Sequence, residues 1–330
     1  MAYDKSLNSP IRSDRKPLQD LIPLEQPLRV LIDPCDICNF RCKFCFQSYD
    51  ADFKGTMLKP EDFRLIVDNL KEFQLPINIV HLYGFGEPLL NPDIPAYVKI
   101  LKNEMIAKEV AITTNGSRLT KELSSQLIDN GLDRLSISLN GLNDSDFTRI
   151  AGVKVDFDSL YDNIKFFYDN KKSCHLHIKI NGDDYSEDEK QRFVDLFKDI
   201  SDTINIDTVV NIWPDITLKD YSGEGTMYGV EYSAKALCPQ MFYELIIHSD
   251  GSVSPCCADY NYGKQNLGNI HNESLKEIWN GSLLNTMRLE ELRGIKSSYE
   301  ACNRCNYPSC ASTVNITPYK DAILKKLSDR

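Results

Sequence analysis

Cys38, Cys42 and Cys45 lie in the run C-N-F-R-C-K-F-C, and this spacing carries most of the chemistry in the chain. Three thiolates spaced C-x3-C-x2-C can hold three irons of a cubane cluster and leave the fourth iron without a protein ligand. That open iron is a place to bind and reduce a small molecule. Zinc is the competing reading, but zinc takes four ligands, usually in two pairs, and Cys35 would have to complete the set. Disulfides are disfavoured, because 330 residues are far more than a stapled secreted fold needs and no apolar signal segment follows Met1. Eleven cysteines in such a chain point to metal–sulfur chemistry.

The triad must be positioned by what surrounds it. Residues 29–33 (R-V-L-I-D) read as a strand, so the cysteines sit in the loop that follows. Phe63, Ile66, Val67, Leu70 and Phe73 fall at helical spacing, which predicts a helix over 60–73 starting at Pro60. The alternation continues with strands at 77–83, 109–114, 135–139, 175–180 and 204–212. Helices are predicted at 93–104, over Leu119, Leu123 and Leu127 with Gly131 as the stop, at 157–170, and from Ser186 to Asp199 with Glu189 completing a capping box. Such a series implies a parallel sheet with right-handed crossovers. Six strands are too few for a closed eight-fold barrel. The expected fold class is therefore α/β, a partial (β/α)6 TIM-like barrel with a small C-terminal α+β extension.

Four motifs fall at strand ends, where an α/β active site lies. In G-F-G-E-P (84–88), Gly84 and Gly86 let backbone approach a ligand, and Glu87 can accept hydrogen bonds from a cationic amine. T-T-N-G (113–116) places Asn115 at the end of the third strand. Alternation puts Ser136 and Ser138 on one side of the fourth strand. H-I-K-I-N (177–181) ends the fifth. Tyr83, Lys179, Trp213 and Asp215 sit near strand ends with ordinary structural readings, and His81, His175 and His177 read as buried, hydrogen-bonded imidazoles.

C-x3-C-x2-C with Phe44 just before the last cysteine resembles the signature of radical S-adenosylmethionine (SAM) enzymes. The resemblance implies a 4Fe–4S cluster on Cys38, Cys42 and Cys45, with the amino and carboxylate groups of SAM on the open iron. It implies that Phe44 packs near adenine and that Gly86 and Glu87 hold the methionyl amino group. Phe85 departs from the usual glycine pair. Asn115 would reach the sulfonium ligand, Ser136 and Ser138 the ribose or carboxylate, Ile180 the adenine and Asn181 the ribose. A partial barrel is also what the resemblance implies.

After residue 230 the alternation stops. Cys238 and Cys256 are joined by C-x12-G-x4-C, with Asp250-Gly251 as a hairpin signal between Tyr243–His248 and Ser252–Val253. Cys302 and Cys305 supply a second pair, and by spacing alone zinc or an iron–sulfur cluster fits equally. With Cys256-Cys257, L-G-N-I (267–270) and S-L-K-E-I-W (274–279), the region resembles the SPASM/Twitch extensions of the same superfamily. The resemblance implies an auxiliary 4Fe–4S cluster on Cys238, Cys256, Cys302 and Cys305. By that resemblance a full SPASM unit with two clusters needs more cysteines than the six present here, so one cluster is the economical reading, as in the Twitch form. Cys257 and Cys310 remain, either of which could replace one of the four ligands. Cys35 and Cys174 read as packed or free thiols. The expected division is an N-terminal arm (1–28), a radical SAM partial barrel (29–230), an auxiliary cluster domain (231–315) and a C-terminal helix (316–330).

A net charge of −10 argues against general nucleic-acid binding. No run of eighteen apolar residues exists, so a membrane partner is not expected and the location reads as cytoplasmic. The resemblance implies an external one-electron donor of flavodoxin or ferredoxin type and reductive cleavage of SAM to a 5′-deoxyadenosyl radical that abstracts a substrate hydrogen. An oxidoreductase that dehydrogenates a small polyol, sugar or amino-sugar is the first expectation, the auxiliary cluster accepting the second electron. Radical modification of a peptide or protein side chain is the second. A non-catalytic metal-binding scaffold is the third.

Overall fold

The computed structural model describes residues 16–50, 52–73, 76–213, 216–221, 226–227, 237–257, 266–295, 299–303, 305–311 and 314–328. Six strands alternate with helices: β1 (Arg29–Ile32), β2 (Ile77–Leu82), β3 (Ala107–Thr114), β4 (Arg134–Leu139), β5 (His175–Asn181) and β6 (Thr203–Asp207). Three more follow: β7 (Glu244–Ile247), β8 (Ser252–Ser254) and β9 (Gly268–Asn269). All nine form one open sheet in the order β6-β5-β4-β3-β2-β1-β7-β8-β9. β1 to β6 run parallel to their neighbours, so the crossover helices pack on one face. This is an incomplete barrel with two edges, as the pattern of six strands predicts.

The helices begin and end where local chemistry dictates. Pro60 opens the helix Pro60–Leu70, Thr120 accepts the Leu123 amide, and Asp156 accepts the Ser159 amide. Ser186 and Glu189 form a full capping box. Gly131, at φ 83°, follows the helix Lys121–Asp129 in the left-handed conformation that glycine adopts without penalty.

Strand alternation splits the sheet into two faces. Val80, Leu82, Val110, Ile112, Leu135, Ile137, Leu176 and Ile178 point toward the helices and are fully buried. Burial of each such side chain is worth about 1.5–3 kcal/mol, and this layer is the main source of stability. The opposite face carries His81, Glu109, Thr113, Arg134, Ser136, Ser138, His177 and Lys179, all half-buried. The sheet thus has one apolar face under the helices and one polar face.

β6 ends at Asp207, short of the predicted Ile212, because side chains and a remote carbonyl capture the next amides. Val209 N–H donates to Asp183 Oδ2 at 2.7 Å and Thr208 N–H to the Met227 carbonyl at 2.8 Å. The described end of the N-terminal arm is docked. Leu18 and Ile22 are buried, and Trp279 Nε1 donates to the Leu24 carbonyl at 3.2 Å. Trp279 itself is fully buried beneath the Arg288 guanidinium, 4.1 Å from its ring centroid. Residues 1–15 and Asp215 lie outside the described residues.

The predicted hairpin forms as β7–β8, with Gly251 at φ 81° in its turn. Its setting was not predicted. β7 pairs in parallel with β1, Arg29 opposite Glu244 and Ile32 opposite Ile247, so the C-terminal cysteines hang from the same sheet as the N-terminal triad. The helix Lys320–Ser328 closes the chain, with Ile323 buried. No described helix is long and apolar enough to cross a membrane.

Candidate metal centres

The loop after β1 is stitched on three sides. Arg41 and Lys43 donate their amides to the Ala151 and Ile150 carbonyls, at 2.8 and 3.0 Å. Gln47 Nε2 bridges the Asp36 and Phe85 carbonyls, each at 2.8 Å. The Glu87 amide donates to the Ile37 carbonyl at 2.9 Å. Gly86 explains its own identity, since a Cβ there would lie 2.3 Å from the Cys35 carbonyl oxygen.

On this frame Cys42 is buried and Cys38 and Cys45 are half-buried. The Cys45 amide donates to the Cys42 carbonyl at 3.0 Å, and the Phe40 amide points at Cys38 Sγ at 3.4 Å. Burial drives all three thiols upward, Cys38 to about 11, and the other two cysteines add to the effect at Cys42. The Arg41 cation opposes it at each. A metal ligand needs the deprotonated sulfur, so binding a cluster here would release protons from the three thiols. Among the described residues no three His, Cys, Asp or Glu side chains gather closely enough for a single metal ion. A cubane takes one thiolate per iron, and three cysteines on one short loop fit such a donor set.

Glu87 is 2% exposed and does structural work at the strand ends. Its Oε1 accepts from the Leu89 amide at 2.9 Å and the Thr114 hydroxyl at 2.5 Å, and its Oε2 accepts from the Asn115 amide at 2.7 Å. Burial lifts its carboxyl to about 7 against those three donors. It clamps the β2 loop to the end of β3. Asn115 Nδ2 then donates to Asn39 Oδ1 at 3.0 Å, and Asn39 Nδ2 donates to the Ser117 hydroxyl at 2.9 Å. This network joins β3 to the residue after Cys38.

Phe44 meets Tyr221 edge-on, with ring centroids 6.2 Å apart, and Tyr221 O–H donates to Asp184 Oδ2 at 2.6 Å. Phe46, Phe85, Ile216 and Leu218 form a separate apolar cluster over the loop, and Trp213 lies 5.2 Å from Phe46. Ser136 and Ser138 stand half-buried on the polar face, as alternation requires. Ile180 does not share that face. It is 2% exposed, in register with Leu139 and Ile206, and belongs to the apolar layer under the helices. Asn181 caps the turn that follows β5, accepting the Asp183 amide.

The charges on the polar face are paired. Arg134 Nε donates to Glu109 at 2.8 Å and Lys179 Nζ to Asp207 at 2.8 Å. His81 shares a hydrogen bond with Thr113 at 2.9 Å, and His175 and His177 with Thr203 at 3.0 and 2.8 Å. Burial lowers His81 to about 3 and His177 to about 4, so both stay neutral.

The C-terminal cysteines also converge. Cys238, Cys256, Cys302 and Cys305 are each near enough to perturb another's ionisation, with burial the leading cause at Cys238 and Cys256. The Cys238 amide donates to Glu291 Oε1 at 2.5 Å, and the Tyr307 amide points at Cys305 Sγ at 3.4 Å. Cys257 is pushed up to about 12 by burial and by Glu244, and it lies near enough to perturb Cys256 and to be perturbed by Cys305. Cys310 sits in a different environment, an apolar cluster with Val210 and Ala311. Cys35 and Cys174 are buried, at 0% and 1% exposure.

Asp33, Asp36, Arg41, His248 and Ser249 were missed from sequence. Burial and then Asp36 hold the Asp33 carboxyl well above the usual carboxylate range, and its Oδ2 accepts the Phe85 amide at 2.8 Å. The two aspartates of D-P-C-D, just ahead of the triad, were the available signal.

Residues 32–194 match the model of the radical SAM superfamily, and residues 238–306 match that of the SPASM iron–sulfur cluster-binding domain. Among curated relatives, a probable GTP 3′,8-cyclase of Sulfolobus acidocaldarius is 41% identical over 118 residues, 36% of each chain. A GTP 3′,8-cyclase of Tolumonas auensis is 35% identical over 118 residues, 36% of this chain and 34% of the relative. The chain thus aligns with about a third of the length of these relatives. Among solved structures, BtrN in complex with AdoMet and 2-DOIA superposes at TM-score 0.58 and 18% identity, covering 86% of this chain and 94% of BtrN. SuiB of Streptococcus suis bound to precursor peptide SuiA gives 0.63 at 18% identity, covering 89% and 73%. The protein anSMEcpe with bound AdoMet gives 0.62 at 16%, covering 92% and 97%. At these identities the likeness is one of fold.

Proposed function

Because the chain belongs to the radical SAM superfamily and carries a SPASM extension, with 4Fe–4S clusters and SAM as cofactors, we propose that it dehydrogenates a small polyhydroxylated substrate such as a polyol, sugar or amino-sugar. Cys38, Cys42 and Cys45 would hold the SAM-binding cluster, and Cys238, Cys256, Cys302 and Cys305 the auxiliary one. When bound and reduced by an external one-electron donor, these cofactors would supply a 5′-deoxyadenosyl radical for removing a hydrogen atom and an acceptor for the remaining electron, the hydroxyl proton leaving to solvent. The division of the chain into barrel and auxiliary unit near residue 230 belongs to this proposal.

The protein's own residues supply binding, orientation and exclusion of water. Asn39, Asn115 and Glu87 hold the strand ends rigid around the cofactor position. Phe44, Phe46, Phe85 and Trp213 form an apolar rim that keeps water from the reacting carbon. The observation that carries the substrate class is the pairing of charges on the polar face. With Lys179 satisfied by Asp207 and Arg134 by Glu109, that face offers hydroxyls, imidazoles and amides and no net charge. Hydroxyl groups are matched by such a surface, whereas a phosphate would require uncompensated cations. BtrN, whose structure holds 2-DOIA, shares the fold and the short C-terminal extension is compatible with the same reading. Peptide modification is the second reading, favoured by the likeness to SuiB with its precursor peptide.

The test is isotopic. The reconstituted, dithionite-reduced protein is incubated with SAM and a panel of carbon-deuterated polyols, sugars and amino-sugars. Deuterium recovered in 5′-deoxyadenosine, with a ketone or aldehyde product, supports the proposal. Transfer only from deuterated peptides would overturn it in favour of the second reading.

A further inference from the structure

The hairpin turn of the C-terminal unit reaches into the loop that bears the N-terminal cysteines. Ser249 Oγ donates to Asp36 Oδ2 at 2.6 Å and lies 2.5 Å from Thr56 Oγ1. Thr56 approaches the same carboxylate oxygen at 3.5 Å through both its amide and its hydroxyl. Asp36 is 2% exposed and Ser249 4%, so water does not replace a lost donor there.

Asp36 is a junction. Its carbonyl accepts Gln47 Nε2, two residues past Cys45, and the same amide holds the Phe85 carbonyl. Its amide donates to the Thr56 carbonyl at 3.0 Å, and the neighbouring Ile37 carbonyl accepts the Glu87 amide at 2.9 Å. Gly86 packs so tightly on residues 35–37 that a Cβ would lie 2.4 Å from the Asp36 carbonyl carbon. A displacement of Asp36 therefore moves the lead-in to Cys38, the exit from Cys45 and the 84–87 loop together.

We propose that Ser249 is a positioning residue for the N-terminal cluster: through Asp36 it fixes the loop that presents Cys38, so the auxiliary unit sets the geometry of the SAM site. This rests on the reading of Cys38, Cys42 and Cys45 as cluster ligands. The role of Ser249 is mechanical, since its hydroxyl is engaged by Asp36 and Thr56. The register of β1 with β7 and the Asp33 amide donating to the Ile247 carbonyl at 2.8 Å bring the turn to this position.

The test is a SAM titration of the anaerobically reconstituted full chain, read as the change in the EPR spectrum of the reduced N-terminal cluster. Ser249→Ala is expected to need about tenfold more SAM for the half-maximal change, the scale of one buried hydrogen bond. The auxiliary signal, isolated in a Cys38→Ala/Cys42→Ala/Cys45→Ala background, is expected to be unaltered by the same change. Ser249→Thr keeps the hydroxyl and should restore the titration. Thr56→Val tests the same carboxylate from the N-terminal side, without touching the hairpin, and should shift the titration in the same direction. A wild-type titration in Ser249→Ala, or loss of the auxiliary signal in it, overturns the inference. A wild-type protein whose EPR ignores SAM would overturn the functional reading as well, which separates the two failures.

Discussion

Arg29 of β1 and Glu244 of β7 stand opposite one another in the parallel register and form an ion pair across the junction of the two cysteine-bearing units. Glu244 is fully buried, whereas the Arg29 side chain keeps 30% exposure. Burial raises the Glu244 carboxyl, and Arg29 acts against that. Removing one partner leaves a buried charge uncompensated, which commonly costs 3–5 kcal/mol. The exposure of Arg29 puts Glu244→Ala nearer about 2–3 kcal/mol. Arg29→Met/Glu244→Leu should recover much of it. The measurement is the urea midpoint by circular dichroism, and equal loss in the single and double variants would contradict the pairing.

The auxiliary ligand set predicts a stoichiometry. Cys256→Ala or Cys302→Ala should lower iron from about eight to about four per chain, the content of one cubane, while the N-terminal EPR signal survives. Cys310→Ala should leave the iron content unchanged, because Cys310 packs in an apolar cluster with Val210 and Ala311. Iron loss in Cys310→Ala would place it among the ligands.

Gly86→Ala should be far worse than its size suggests. The added methyl would meet backbone atoms of Cys35, Asp36 and Ile37 at 2.3–2.5 Å, and backbone cannot step aside as a side chain can. The expected outcome is loss of the SAM-responsive cluster with the auxiliary cluster retained. Full SAM response in Gly86→Ala would show that the loop has slack.

His248 predicts a direction for pH dependence. The ring is fully buried, hydrogen-bonded to the Ser254 hydroxyl at 2.9 Å and stacked on Phe85 at 5.2 Å. Burial lowers it to about 4, with Asp250 acting weakly the other way. Between that value and the ordinary 6.5 the unfolded chain takes up a proton that the folded chain refuses. The stabilisation is complete above pH 6.5 and is lost as pH falls, by roughly 1 kcal/mol at pH 5.5. His81 and His177 act in the same sense. His248→Gln should flatten the decline of the urea midpoint between pH 7.5 and 5.5, and an unaltered slope would exclude His248 as a contributor.

Short-range features were legible in the sequence. The capping box at Ser186, the Asp250-Gly251 turn and the helical stripe of Phe63, Ile66, Val67 and Leu70 are set by neighbours a few residues away, and all are present. The pairing of β7 with β1 was not, because E-L-I-I in a hairpin does not say which remote strand its outer edge will join. Glu87 shows the same limit at the site. Its type suggests an amine acceptor, yet its three bonds go to Leu89, Thr114 and Asn115, which only the fold brings to it. Ile180 is different, since the alternation in H-L-H-I-K-I-N already sets it with Leu176 and Ile178 and against Lys179.

The chain contains two tryptophans, and they occupy unlike places. Trp279 is sealed under Arg288, far along the chain from the N-terminal triad, whereas Trp213 rests on Phe46, the residue after Cys45. Trp213 is therefore a built-in fluorophore beside the N-terminal cysteine loop, whereas Trp279 is tied through Arg288 to the Met241 carbonyl, on the side of Cys238. Iron–sulfur chromophores absorb where indole emits, so quenching of Trp213 would report occupancy of that site in real time, with no label attached.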